Sequence, residues 1–316
     1  MESTLNTGTL DPLPPVLQHG LIAVSSFGLI SFMSSTTLLL YLSYKLFSWW
    51  WRGDLDNGCN QFLLLIYNLV LADIQQALAF SVTLVWLGEN KIDAHSTTCF
   101  VEGWFVSTGD LASGVWIFAI ALHTFYAVIK GRRLPTPIFT AVVGGLWLFI
   151  YAMAVTGVAL HPHNYYVRAG AWVMYLFSCS DPSSANNILQ CWINEEYGKE
   201  RLLLHYFWIF ICMFGTILVY FLIYIALRSR VLVQPLDSNS SLAPLSTGGN
   251  DKSTLQRAGR YMILYPVIYT ICTLPLAAGR MAAMTGVLVP YAYYCLAGAA
   301  ITCGLESLLP THKADL

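Results

Sequence analysis

Seven stretches of this chain are apolar over about twenty residues or more, and few architectures accept that pattern. A hydrocarbon slab about 30 Å thick is crossed by about 20 helical residues, so each stretch is long enough to cross a bilayer. They lie at 20–47, 61–87, 99–129, 136–160, 202–227, 257–284 and 290–309. Lipid offers the backbone no hydrogen-bond partners, so each run must close its own bonds, and none shows the ten-residue alternation of a membrane β-barrel. Only 10% of the 316 residues are charged while 56% are hydrophobic. A soluble chain carries roughly 25% charged residues, so too few are present to solvate a folded surface. The expected fold is an all-α bundle of seven transmembrane helices.

Basic residues collect on the cytosolic side of membrane proteins, close to the helix ends. The segment 1–19 has no Lys or Arg, the first loop carries Lys45 and Arg52, and the third carries Lys130, Arg132 and Arg133. Counting the remaining loops places eleven basic residues inside and five outside, which predicts an extracellular amino terminus and a cytosolic carboxyl terminus. On this reading 1–19 is extracellular, 20–309 is the membrane domain and 310–316 is a short cytosolic tail. No cleavable signal is evident, so the first helix is expected to direct its own insertion into the plasma membrane, among whose lipids the chain sits. The segment 228–256 is polar and rich in Ser and Gly, which predicts a flexible cytosolic loop. Its sequon at Asn239 would then escape glycosylation.

This topology sorts the cysteines. Cys99, Cys179 and Cys191 face the oxidising side, whereas Cys59 lies near the cytosol and Cys212, Cys272, Cys295 and Cys303 fall within helices. A bond from Cys99, at the start of the third helix, to the loop 161–201 would pin that loop over the bundle. Cys191, just before the amphipathic Trp192-Ile193-Asn194, is the better partner, with Cys179 the alternative.

Polar groups inside a bilayer are costly and are expected to face the bundle with a partner. At 100° per residue, Asn68, Ala72, Asp73, Gln75, Gln76, Ala79 and Thr83 share one arc of the second helix, and that arc should face inward. In the third helix Gly103, Ser107, Asp110, Gly114, Ile117 and Ala121 stack on a face small enough for close helix packing. Asn68, Asp73 and Gln75 form a candidate intramembrane polar network, whose purpose is either to join helices or to touch a ligand. Gln76, Glu102, Asp110, His205, Arg280 and Tyr291 occupy the outer half of the bundle and form a candidate ligand cavity between helices 2, 3, 5, 6 and 7. For His205 the competing role is the aromatic belt at the interface, and for Arg280 it is snorkelling to headgroups. Pro266 and Pro275 remove backbone donors in helix 6 and mark a bend or hinge.

Taken together, Leu71-Ala72-Asp73-Ile74-Gln75-Gln76-Ala77 in helix 2, Cys99 opening helix 3, Cys191-Trp192-Ile193, and Tyr265-Pro266 through Leu274-Pro275-Leu276 to Arg280-Met281 resemble the fungal G-protein-coupled receptors. More narrowly they look like the branch related to glucose-sensing and cAMP-receptor-like receptors, and the resemblance spans nearly the whole chain. It implies a receptor that activates a heterotrimeric G protein in response to a small molecule, often a nutrient, upstream of cAMP. On that view the basic groups Lys130, Arg132, Arg133, Arg228, Arg230, Arg257 and Arg260 form the face that meets Gα. The same groups are expected at inner helix ends for topology alone. Helix 3 ends His123-Thr124-Phe125-Tyr126 without the acidic-Arg-Tyr lock of rhodopsin-like receptors, and helix 7 lacks their Asn-Pro-x-x-Tyr; the fungal branch usually lacks both. The end at Leu316 is a further departure, because family members commonly continue into a cytosolic tail.

Other functions are weighed by the residues they need. A retinal protein requires a lysine in helix 7, and 290–309 has none. A membrane hydrolase would cluster His, Asp, Glu or Ser, yet His123 and His205 belong to opposite sides, and His161 with His163 makes a poor metal site without a third ligand. No enzymatic activity, cofactor, metal or nucleic-acid partner is therefore expected. A transporter using the intramembrane acids Asp73, Asp110 and Glu306 is the main alternative.

Overall fold

A computed structural model of the chain describes residues 9–13, 15–51, 61–130, 134–162, 164–170 and 189–232. Within them lie five helices long and apolar enough to cross a membrane. These are α1 (Pro15–Trp51), α2 (Gln61–Glu89), α3 (Thr97–Lys130), α4 (Thr136–Leu160) and a continuous helical rod made of α5 (Gly198–Arg201), a π-helical turn (Leu202–Tyr206) and α6 (Phe207–Leu232). Two strands, β1 (Tyr166–Gly170) and β2 (Leu189–Ile193), precede the rod. The sixth and seventh expected helices, 257–284 and 290–309, lie outside the described residues, as do the amino-terminal eight residues and the chain after 232.

Local chemistry sets the helix ends. Asn90 stops α2 in a left-handed conformation at φ 53°, which Asn tolerates better than most residues. Pro135 precedes α4 and Pro137 occupies its first turn, where a missing backbone N–H costs nothing. At its other end the His161 N–H reaches back to the Gly157 carbonyl, and Pro162 cannot extend the helix. The structure begins α1 at Pro15 rather than 20, and the last rod at Gly198 rather than 202. An apolar run marks only the hydrocarbon-length part of a helix; polar turns such as Lys199-Glu200-Arg201 extend it past the slab. For the same reason α6 continues to Leu232, into the segment expected to be a loop from 228.

The central element is α3, packed against α2, α4, α6 and both strands. Two apolar layers lie along it: one around Leu69, Leu111, Trp116 and Ile150, the other around Ala121, Val219, Tyr220 and Ile223. The faces turned away from α3 are apolar too, with Leu40 on α1 66% exposed and Leu148 on α4 73% exposed. A water-facing surface would be polar there, so these faces match lipid. Small residues bring the backbones together. A Cβ on Gly109 would stand 2.8 Å from the Gln76 backbone nitrogen, and one on Gly28 would stand 2.8 Å from the Phe80 Cβ.

One end of the bundle is closed by the strands. β1 and β2 are antiparallel, with Tyr166 opposite Ile193 and Arg168 opposite Cys191. This register holds Cys191 over the first turn of α3, where it is bonded to Cys99 with the Cα atoms 5.1 Å apart. Both cysteines are fully buried. The choice left open by the sequence thus falls on Cys191, and Cys179 lies outside the described residues. The bond spans 92 residues, and a loop of that length loses much chain entropy when closed. Beside it the amino-terminal segment joins the loop after α2 by paired backbone bonds between Leu10 and Ile92, 2.9 and 3.0 Å long.

Candidate functional site

Beneath the strand pair, α2, α3 and the π-helical turn each supply one polar side chain. The small face of α3 presents Asp110, one residue after Gly109, whose missing side chain lets α2 approach until the Gln76 amide donates to Asp110 Oδ1 at 2.5 Å. From the third side comes His205, whose Nε2 lies 4.0 Å from Asp110 Oδ2. That distance is too long for a hydrogen bond but short enough for an ion pair once the imidazole is protonated. A π turn inserts an extra residue into the helical register and so redirects the side chains it carries, a device that recurs at functional positions. Here it carries His205 and Tyr206, both buried, into edge-on contact with Trp192 at ring separations of 5.4 Å. The Arg201 guanidinium lies over the same indole, 4.2 Å from its centroid. A carboxyl group, an amide and an imidazole make a set fit for holding the hydroxyl or amino groups of a small polar molecule.

Of the six residues expected to line a ligand cavity, Gln76, Asp110 and His205 come together. Glu102 does not join them. It is fully buried between α2 and α3, accepting from the Trp86 indole at 2.8 Å and the Thr83 hydroxyl at 3.4 Å. It therefore serves as an acceptor inside the helix interface, near the disulfide. Arg280 and Tyr291 lie outside the described residues, as do Pro266, Pro275, Arg257, Arg260, Glu306, Arg132 and Arg133. Lys130 ends α3 exposed, and Arg228 and Arg230 fall in the last turns of α6.

The expected polar network consists of separate ties. Asp73 accepts from the Ser113 hydroxyl at 3.1 Å, joining α2 to α3. Asn68 accepts from the Trp147 indole at 2.7 Å and Gln75 from the Tyr151 hydroxyl at 3.4 Å, both joining α2 to α4. At the far end His123 Nε2 lies 3.1 Å from Gln61 Oε1, and the Gln61 amide donates to the Leu134 carbonyl at 2.6 Å. Among the described residues no three His, Cys, Asp or Glu side chains gather closely enough to hold a metal ion.

Tyr165 and Tyr166 are not among the expected site residues. Both are buried, because glycines on two helices make room for their rings. A Cβ on Gly157 would fall 2.2 Å from Tyr165 Cζ, and one on Gly103 would fall 2.6 Å from Tyr166 Cδ1. Burial pushes the Tyr165 phenol up to about 12, helped by the nearby Glu200 carboxylate. Burial also raises the Tyr166 phenol, with the Ser107 hydroxyl acting against the rise. The His161 ring stacks on Tyr197 at 3.6 Å and its Nε2 lies 3.9 Å from Glu200, so it is occupied by the strand-end packing. Compared with known proteins, the chain matches no family model and no curated sequence.

Proposed function

We propose that this chain is a seven-helix G-protein-coupled receptor of the plasma membrane, with its amino terminus outside, carrying a small-molecule signal to a heterotrimeric G protein upstream of cAMP. The observation that carries the reading is the Asp110–Gln76–His205 cluster, sunk beneath a strand pair that the disulfide ties to the helix supplying Asp110. Such an arrangement gives a ligand polar anchors inside apolar walls and a fixed cover above them. The resemblance in helices 2 and 6 supplies the rest: a nutrient-type ligand, a helix 6 that bends at Pro266 or Pro275, and a cytosolic groove flanked by Lys130, Arg132, Arg133, Arg228, Arg230, Arg257 and Arg260. An agonist favours the open groove only to the extent that it binds that state more tightly.

A ligand screen on the full chain in vesicles, read by nucleotide exchange on the host's Gα subunits, tests the reading. Agonist-driven exchange that disappears in the Arg257→Glu, Arg260→Glu double variant, with surface expression and ligand binding retained, is the expected result. Asp73 and Asp110 are also intramembrane acids, the feature that favours a transporter. Solute uptake without exchange in the same vesicles would replace the receptor by that alternative.

A further inference from the structure

Residues 9–13, just ahead of α1, cross the end of the bundle where the disulfide lies. Thr9, Asp11 and Pro12 are exposed there, whereas Leu10 is half-buried and Leu13 is 3% exposed. The segment therefore has a polar outer side and an apolar underside. It is held as a strand would be: Leu10 exchanges both backbone bonds with Ile92, and the Leu13 N–H donates to the Asn90 carbonyl at 3.1 Å. From the first turn of α1 the Gln18 amide donates to the Asn90 side chain at 2.7 Å. Leu10, Leu13 and Ile92 share one apolar cluster with Trp86 and both bonded cysteines. Ile92 is 0% exposed although Lys91 and Asp93 on either side of it are part-exposed, so the segment lies as a strap over this corner of the cluster.

A disulfide is opened by a thiolate that attacks one of its sulfurs. A mixed disulfide forms and the other cysteine leaves as a thiolate; a second thiol then attacks the mixed disulfide, giving two cysteine thiols and the reductant's own disulfide. The attack requires an open path to sulfur, and both cysteines here are fully buried, so it waits on a local opening. The walls of the cluster differ in how readily they open. Trp86 belongs to a 29-residue helix and Cys191 to a paired strand, whereas the strap is held by a few backbone bonds and two leucines. We propose that residues 9–13 form a removable cover for the Cys99–Cys191 bond, which a small thiol reductant reaches once the strap lifts. Reduction then unties β2 from α3, and with it Trp192, against which the His205 ring packs. What that release does to signalling rests on the receptor reading; the thiol access itself does not.

The test uses the full chain in lipid nanodiscs with reduced glutathione as the probe. Thiols freed at Cys99 and Cys191 are trapped by alkylation and counted on their peptides by mass spectrometry. Leu10→Asp and Leu13→Asp each place a carboxylate on the apolar underside. Both should speed reduction about tenfold or more, the change in an opening equilibrium when the burial of one leucine is lost. Asp11→Asn, on the exposed side, should react at the parent rate. Where an aspartate variant fails to fold, a chain with residues 9–13 replaced by glycine and serine carries the same prediction. Equal rates in the parent and the strap variants, or a parent reduced as fast as free cystine, would overturn the proposal. Faster reduction of strap variants in a chain that drives no nucleotide exchange defeats the receptor reading and keeps the strap, whereas exchange together with strap-independent reduction does the reverse.

Discussion

At the scale of single residues, some buried carboxyl and amide groups act as acceptors placed opposite particular donors. Glu102 is the clearest case, because the Trp86 indole N–H has its acceptor there, in a layer shielded from water. Removing one partner of a buried hydrogen bond leaves the other with its full desolvation penalty, about 1–3 kcal/mol. Glu102→Ala is thus expected to destabilise the protein by about that amount, and Glu102→Gln, which keeps an acceptor oxygen, by less; thermal unfolding in detergent ranks the two. Equal losses would mean that the contact to Trp86 is not what holds Glu102 in place. Tyr165 gives a pH signature. Its phenol ionises near 10 when unfolded and near 12 when folded, so its contribution is fully present below pH 10 and lost as the pH rises through 12. Two pH units correspond to a loss on the order of 2 kcal/mol. Tyr165→Phe keeps the ring without the titration, so its melting temperature should fall less between pH 9 and pH 12 than that of the unmodified chain.

Between elements, packing is governed by where side chains are missing and by one covalent bond. Gly109 faces backbone on α2, which cannot rotate away as a side-chain tip can. Gly109→Ala should force α2 and α3 apart and cost about 1–3 kcal/mol. It should also stretch the Gln76–Asp110 contact one residue away. Gly144→Ala is the matched control: nothing lies within 4 Å of a Cβ there, so the same added methyl should leave stability unchanged or raised. The Cys99–Cys191 bond fastens β2 to α3, and Cys99→Ser is expected to lower stability by about 2–5 kcal/mol in an oxidising medium. Equal melting of variant and parent under reducing conditions checks that the difference is the bond itself.

For the whole molecule, the proposed seven-crossing topology predicts which inserted epitopes are labelled from outside the cell. Five crossings and seven both put the termini on opposite sides, so terminal tags do not separate them. An epitope inserted between 284 and 290 does. With seven crossings that site is extracellular and is labelled on intact cells, while an epitope within 233–256 is labelled only after permeabilisation. Labelling of neither without permeabilisation would cancel the sixth and seventh helices and, with them, the cavity residues Arg280 and Tyr291.

The sequence by itself determined that this chain makes membrane-length helices, because the energy of placing peptide groups in hydrocarbon is set by composition along about twenty consecutive residues. It also showed which arc of α2 turns inward, since helical period fixes the relative directions of Asn68, Asp73, Gln75 and Gln76. Partner choice is another matter. That Asp110 meets Gln76 while Glu102 meets Trp86, that Cys191 reaches Cys99, and that a π turn aims His205 at Asp110 all depend on how far one helix slides and rotates against another. Those displacements are set by interlocking side-chain volumes distant in sequence, with Gly103, Gly109 and Gly157 admitting Tyr166, α2 and Tyr165. A period read along one helix contains no information about them, and only the packed structure decides.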